Sequence, residues 1–135
     1  MAYAVTGNTA AQATLAKYDG RKCWRWYITE TQARDTSTFT LYGAPSVGTI
    51  TLLRSARTAG TGTTVRPEIG RGVGWTDGSI EEIGRAGSAA AVSEILTNVR
   101  YTRNDTDELE IRTSANSTAT DHTVVTEIVI FEGHL

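Results

Sequence analysis

The chain has 135 residues, a formal net charge of −2 and one cysteine, Cys23. That length suits one domain able to bury its own core, and a single thiol rules out an intramolecular disulfide. Met1 to Ala4 lack a basic and apolar leader pattern, and the longest apolar runs are too short to cross a bilayer, so synthesis in the cytosol and no membrane partner are expected.

The charge is unevenly spread. Residues 1–71 carry nine basic and four acidic groups, net +5, whereas 72–135 carry four basic and eleven acidic, net −7. Eleven of the basic residues are Arg, and only Lys17 and Lys22 are Lys. Arg favours bidentate pairing and interfaces. A mildly acidic chain argues against nucleic acid as partner. Thr supplies about one residue in six, and β-branched residues fit half-buried pleated surfaces.

Residues 1–20 mix Ala, Thr, Asn and Gly and read as an N-terminal arm or edge strand. Lys22 to Glu30 then alternates as a strong strand, with Trp24, Trp26 and Ile28 on one face and Cys23, Arg25, Tyr27 and Thr29 on the other. Thr36 to Tyr42 is a second strand, and Gly43-Ala44-Pro45-Ser46 supplies turn chemistry. Gly48 to Arg54 is a third strand, with Ile50 and Leu52 facing the core. These three are expected to form an antiparallel meander.

Ala59 to Gly87 is studded with Gly and reads as long ordered loops with short extended pieces around Val65, Val73 to Trp75, and Ile80. Ser88 to Leu96 fits a short helical turn or a strand end. Val99 to Arg103 and Glu108 to Thr113, joined by Asn104 to Asp107, read as a hairpin with Val99 and Tyr101 set against Leu109 and Ile111. After a polar loop at 114–122, Thr123 to Glu132 is apolar on both faces, as a central strand requires. The expected fold is all-β: one antiparallel β-sandwich domain over 1–135, jelly-roll-like, with seven or eight strands and long Gly-rich loops.

Chemical motifs are few. Gly60-Thr61-Gly62-Thr63 and Gly70-Arg71-Gly72-Val73-Gly74 lack the Gly-Lys-Ser/Thr ending of a phosphate loop and read as turns. Asn104 to Glu108 lacks EF-hand spacing and reads as a hairpin tip. His122 and His134 provide too few nitrogens for a zinc site, and both read as solvent-exposed. No Gly-x-Ser-x-Gly elbow accompanies the serines, and Cys23 within a strand reads as a small core residue rather than a thiolate. No catalytic residue, metal or cofactor is assigned. Trp24, Trp26, Tyr27 and Trp75 could make a stacking platform, but Trp24 and Trp26, on one face of a strong strand, read as core anchors with Ile28, and only Trp75 is evenly balanced between the two roles.

Taken with Tyr27 to Thr31, Tyr42 to Ile50, Gly62 to Gly70 and Thr123 to Ile128, the chain resembles small β-sandwich virion proteins of tailed bacteriophages, of the capsid decoration or cement type. The resemblance implies a non-enzymatic virion component that binds the major capsid protein or other virion proteins and meets copies of itself as a homo-oligomer. Candidate interface residues are Arg54, Arg57, Arg66, Arg71 and Trp75. A tail, neck or fibre component fits the same features. The rival class is a carbohydrate- or receptor-binding module, with a glycan held by exposed aromatics and polar loops at one end of the sandwich; a small hydrolase is the third.

Overall fold

A computed structural model describes residues 8–9, 14–18, 21–31, 35–41, 43–59, 64–72, 81–85, 92–95, 98–104, 108–116 and 123–135. Eleven strands are found among them: β1 (Asn8–Thr9), β2 (Thr14–Tyr18), β3 (Arg21–Thr31), β4 (Asp35–Thr40), β5 (Val47–Ala59), β6 (Thr64–Gly72), β7 (Glu81–Arg85), β8 (Val92–Ile95), β9 (Val99–Thr102), β10 (Glu108–Asn116) and β11 (Thr123–Glu132). One sheet runs β1-β4-β10-β6-β7 and the other β2-β3-β11-β5-β8, with β9 also on β5. All pairings are antiparallel except the two-residue contact of β1 with β4.

The topology is a jelly roll. β8 and β9 share one edge of β5, so they count as one interrupted strand. The ladders β3/β11, β4/β10, β5/β9 and β6/β7 then nest like a long hairpin folded over, delivering β3-β11-β5-β8 to one sheet and β4-β10-β6-β7 to the other. This count falls within the seven or eight strands expected, although β7 at Glu81–Arg85 lies beyond the extended pieces anticipated there, and β1 and β2 extend the two sheets at one side.

Period-two alternation on β3 and β11 sets the core. Trp26 and Ile28 on β3, Ile128 and Ile130 on β11, and Ile50 and Leu53 on β5 face Phe39, Ile69, Leu109 and Ile111 from the other sheet. Each fully buried side chain of this size contributes roughly 1.5–3 kcal/mol. The buried hydroxyls of Ser55 and Thr126, 2.7 Å apart, satisfy each other on adjacent strands.

Several expectations are overturned. The meander over 22–54 does not form, because β4 crosses to the opposite sheet and β11 fills the place between β3 and β5. The hairpin over 99–113 also fails: β9 pairs β5, whereas β10 pairs β4 and β6. Leu52 is half-buried and Leu53 takes the core position, since an irregularity between Val129 and Ile130 inserts Thr51 and reverses the alternation.

The Gly-rich middle holds a nine-residue strand, β6, inside the five-stranded sheet. Pro67 is tolerated there because β7 reaches only Glu68 to Arg71, leaving Pro67 paired on one side. The 92–95 stretch takes the strand alternative. Thr14 to Tyr18 is an edge strand on β3, as one reading of the first twenty residues holds.

Candidate functional site

A groove of about 400 Å³ opens at one end of the six-stranded sheet, lined by Lys22, Trp24, Pro45, Ser46, Val47, Glu132 and Gly133. Three elements meet here. The start of β3 brings Lys22 and Trp24, the loop before β5 brings Pro45 to Val47, and the end of β11 brings Glu132 and Gly133. The indole of Trp24 does two things: it packs against the core and remains half-buried, so part of the ring borders the groove.

The loop wall is pinned from beneath by β9. The Tyr101 hydroxyl donates to the Pro45 carbonyl at 2.7 Å, Arg103 N–H donates to the Ser46 carbonyl at 2.8 Å, and Arg103 Nη2 donates to the Ala44 carbonyl at 2.5 Å. Three successive carbonyls are thereby fixed. Gly43 enters the loop with φ of 81°, a value that Gly accepts without steric cost. On the far side Gly133, also at φ 81°, turns the chain after β11 and donates its N–H to the Val47 carbonyl at 2.9 Å. The Thr49 hydroxyl donates to the Gly133 carbonyl at 2.7 Å and lies 2.9 Å from the Leu135 N–H.

Tyr101 is the keystone of this wall. Its ring lies in the core cluster, opposite Gly48 on β5. Burial pushes the phenol pKa up, with the Arg103 charge acting in the opposite direction.

The sequence-derived interface residues are distributed over the molecule rather than gathered. Arg54, on the outward face of the six-stranded sheet, meets Glu94 at 3.4 Å. Arg66 meets the fully buried Glu68 at 2.8 Å, and Arg112 clamps the same carboxylate at 2.6 Å. Arg71 donates to the Thr102 carbonyl. Arg57 is half-buried, opposite Val124 in register. Trp75, His122 and the 73–80 segment lie outside the described residues, as do Asp105 to Asp107 and 60–63.

The outward face of the six-stranded sheet carries exposed Tyr27 and Val92 with half-buried Leu52, Val125, Val129 and Phe131. Arg25 lies over the Tyr27 ring, 4.3 Å from its centroid, and pairs with Glu127. Cys23 is half-buried on this same face, and burial raises its thiol pKa while Arg25 partly opposes the effect. His134 is exposed, with Nε2 3.1 Å from the Tyr101 carbonyl oxygen.

Sequence reasoning read Trp24 as a core anchor, whereas the ring is only half-buried and borders the groove, and it did not anticipate Lys22, Glu132, Tyr101 or Arg103 here. The turn residues at 43–46 were the only local signal of the groove wall.

Comparison with protein-family models and with curated proteins finds no match. Among solved structures, the chain is similar to a carbohydrate-binding module, CBM28, specific for non-crystalline cellulose (11% identity, covering 95% of this chain and 85% of that one, TM-score 0.35). It is similar also to a CBM4 structure (13% identity, 84% and 73% covered, TM-score 0.33) and to a family 30 carbohydrate-binding module (12% identity, 91% and 75% covered, TM-score 0.31). Likenesses at this level do not decide a ligand, so function is read from the groove itself.

Proposed function

We propose that the protein is a non-catalytic binding module that takes a carbohydrate in the Trp24 groove. The observation that carries this reading is a half-buried indole set in a groove whose rim is polar, with Lys22, Ser46 and Glu132 around it. Sugar rings present C–H faces that pack on an aromatic surface, while their hydroxyls take hydrogen bonds from the surrounding polar groups. The pinned loop supports the same reading, since a wall already held in place costs little to order when a ligand arrives. Glu132 is the one carboxylate among the described lining residues, whereas glycoside hydrolysis uses a pair.

The test is binding to a glycan array followed by titration calorimetry with the best oligosaccharide, for the full chain and for Trp24→Ala. Loss of the indole is expected to weaken binding by about tenfold or more, the equivalent of at least about 1.4 kcal/mol for an aromatic anchor. Trp24→Phe should retain part of the affinity. Full affinity in the alanine variant, or no binding to any glycan, would end this reading.

A second reading, docking on a virion surface, is favoured by the outward face of the six-stranded sheet, where Tyr27 and Val92 are exposed beside a half-buried apolar strip. Arg25 and Arg54 on that face already answer to Glu127 and Glu94, so contact there would be chiefly apolar and little affected by salt. Occupancy on purified particles that survives high salt and falls with Tyr27→Asp would support it.

A further inference from the structure

We infer that the groove selects an anionic carbohydrate, one bearing a carboxylate or a sulfate group, through Lys22. This rests on the carbohydrate reading of the Trp24 groove and names the class of sugar it takes.

The chain uses lysine only twice, and the fold places both together. Lys17 on β2 and Lys22 on β3 are direct partners in the antiparallel register. Over residues 17–22 the sequence carries Lys17, Arg21 and Lys22 against one acid, Asp19, a local net charge of +2. Lys22 itself is exposed and lines the groove two residues from Trp24 on the same strand face.

The other charges near the groove are accounted for. Glu132, across from Lys22, is already engaged within the chain. On the sheets, Arg25, Arg54, Arg66 and Arg112 each meet a carboxylate. Among the described residues no carboxylate or carbonyl holds the Lys22 ammonium. A flexible point charge with three donors beside a stacking surface suits a sugar ring that packs on the indole while its anionic substituent reaches the ammonium.

Carboxylate and sulfate sources are separated by using two anionic probes, polygalacturonate and a sulfated galactan, beside their neutral counterpart, an unsubstituted galactan. Affinities are measured at about 50 and about 300 mM salt for the full chain, Lys22→Gln, Lys17→Gln and Trp24→Ala, with thermal melts to establish that each variant is folded. At low salt one or both anionic polymers should bind about tenfold tighter than the neutral one, as expected for one charge-assisted contact. That advantage should shrink at high salt and disappear in Lys22→Gln, whereas Trp24→Ala should lose both anionic and neutral binding. Equal binding of neutral and anionic polymers, abolished by Trp24→Ala but indifferent to Lys22→Gln, would overturn this inference and leave the carbohydrate reading standing. No binding to any of these probes or to a wider glycan array would overturn both. Polyglutamate bound as tightly as the glycans, with the same dependence on Lys22, would also overturn it by showing a site for polyanions at large.

Discussion

Replacing Gly48 with alanine tests whether Tyr101 holds the groove wall. A Cβ added at Gly48 would lie 2.7 Å from the Tyr101 Cε1 and hydroxyl oxygen and 2.8 Å from Cζ. The ring has nowhere free to go, being 3% exposed within the core, and its hydroxyl is committed to the Pro45 carbonyl. Gly48 is not in the left-handed region, so alanine there would otherwise stabilise the protein by about 0.4–1 kcal/mol through the unfolded chain. Overpacking costs about 1–3 kcal/mol, and loss of the Tyr101–Pro45 hydrogen bond adds about 1. The net expectation is a loss of about 1–3 kcal/mol, or roughly 3–10 °C in melting temperature for a chain of this size. Urea melts of Gly48→Ala, Tyr101→Ala and the double variant measure the coupling: with the ring removed, Gly48→Ala should become neutral or mildly stabilising. Weaker carbohydrate binding in the single variant should accompany the stability loss, because the loop carrying Pro45 and Ser46 loses its anchor. A neutral or stabilising Gly48→Ala in the otherwise unchanged protein would refute this account of the wall.

Glu68→Gln should cost about 2–4 kcal/mol in urea melts: the carboxylate is fully buried between Arg66 and Arg112, and removing one partner of such a cluster strands the others, with solvent softening the loss because both arginines remain about one-third exposed; a loss below about 0.5 kcal/mol would mean solvent screens the cluster. For Tyr101, burial raises the folded-state pKa above the ordinary phenol value, so its contribution to stability is complete below about pH 10 and is lost as pH rises further, by up to about 1.4 kcal/mol per unit. Tyr101→Phe should therefore show a shallower alkaline decline than the unaltered protein in melts from about pH 9 to 11, and identical slopes would count against a buried neutral phenol.

How much of the fold was legible varied with how local its cause was. Strand β3 could be read because Trp26 and Ile28 alternate with Arg25 and Tyr27, and the two faces of its sheet meet different surroundings. β11 was equally plain, since Val125 and Val129 back Ile128 and Ile130 on a strand paired on both sides. The pairing partners were not legible. Asn104 to Asp107 resemble a hairpin tip, yet β10 finds β4 and β6, whose positions follow from jelly-roll nesting rather than from any residue at 104–107. β6 was obscured because Pro67 and Gly70 argue against a strand interior, and only the short reach of β7 explains why Pro67 is accommodated. Leu52 was assigned to the core because nothing in the stretch 48–54 announces that Thr51 is an extra residue.

The groove follows from where the inward-facing pattern changes character. Along the six-stranded sheet, Trp24, Ile130 and Ile50 form the last apolar row, paired strand to strand. One step further on the same face stand Lys22, Glu132 and Gly48, with Glu132 and Gly48 direct partners. Two charged residues at that row cannot close a core, since taking charged groups out of water costs more than the apolar contact returns. The sheets therefore stop packing there, and Trp24 is left at the boundary with one side in the core and another bordering solvent. Gly48 determines what fills the rest of that row: its missing side chain gives the Tyr101 ring its place, and the Tyr101 hydroxyl fixes Pro45. The three residue types are visible in the sequence, but their alignment into one row depends on the register of β3, β11 and β5, set by contacts between segments far apart in the chain. A period-two pattern ending in a charge on two neighbouring strands and in glycine on a third thus marks the mouth of the sandwich, and the residue just inside that mouth, Trp24, is where a ligand would first meet an aromatic surface.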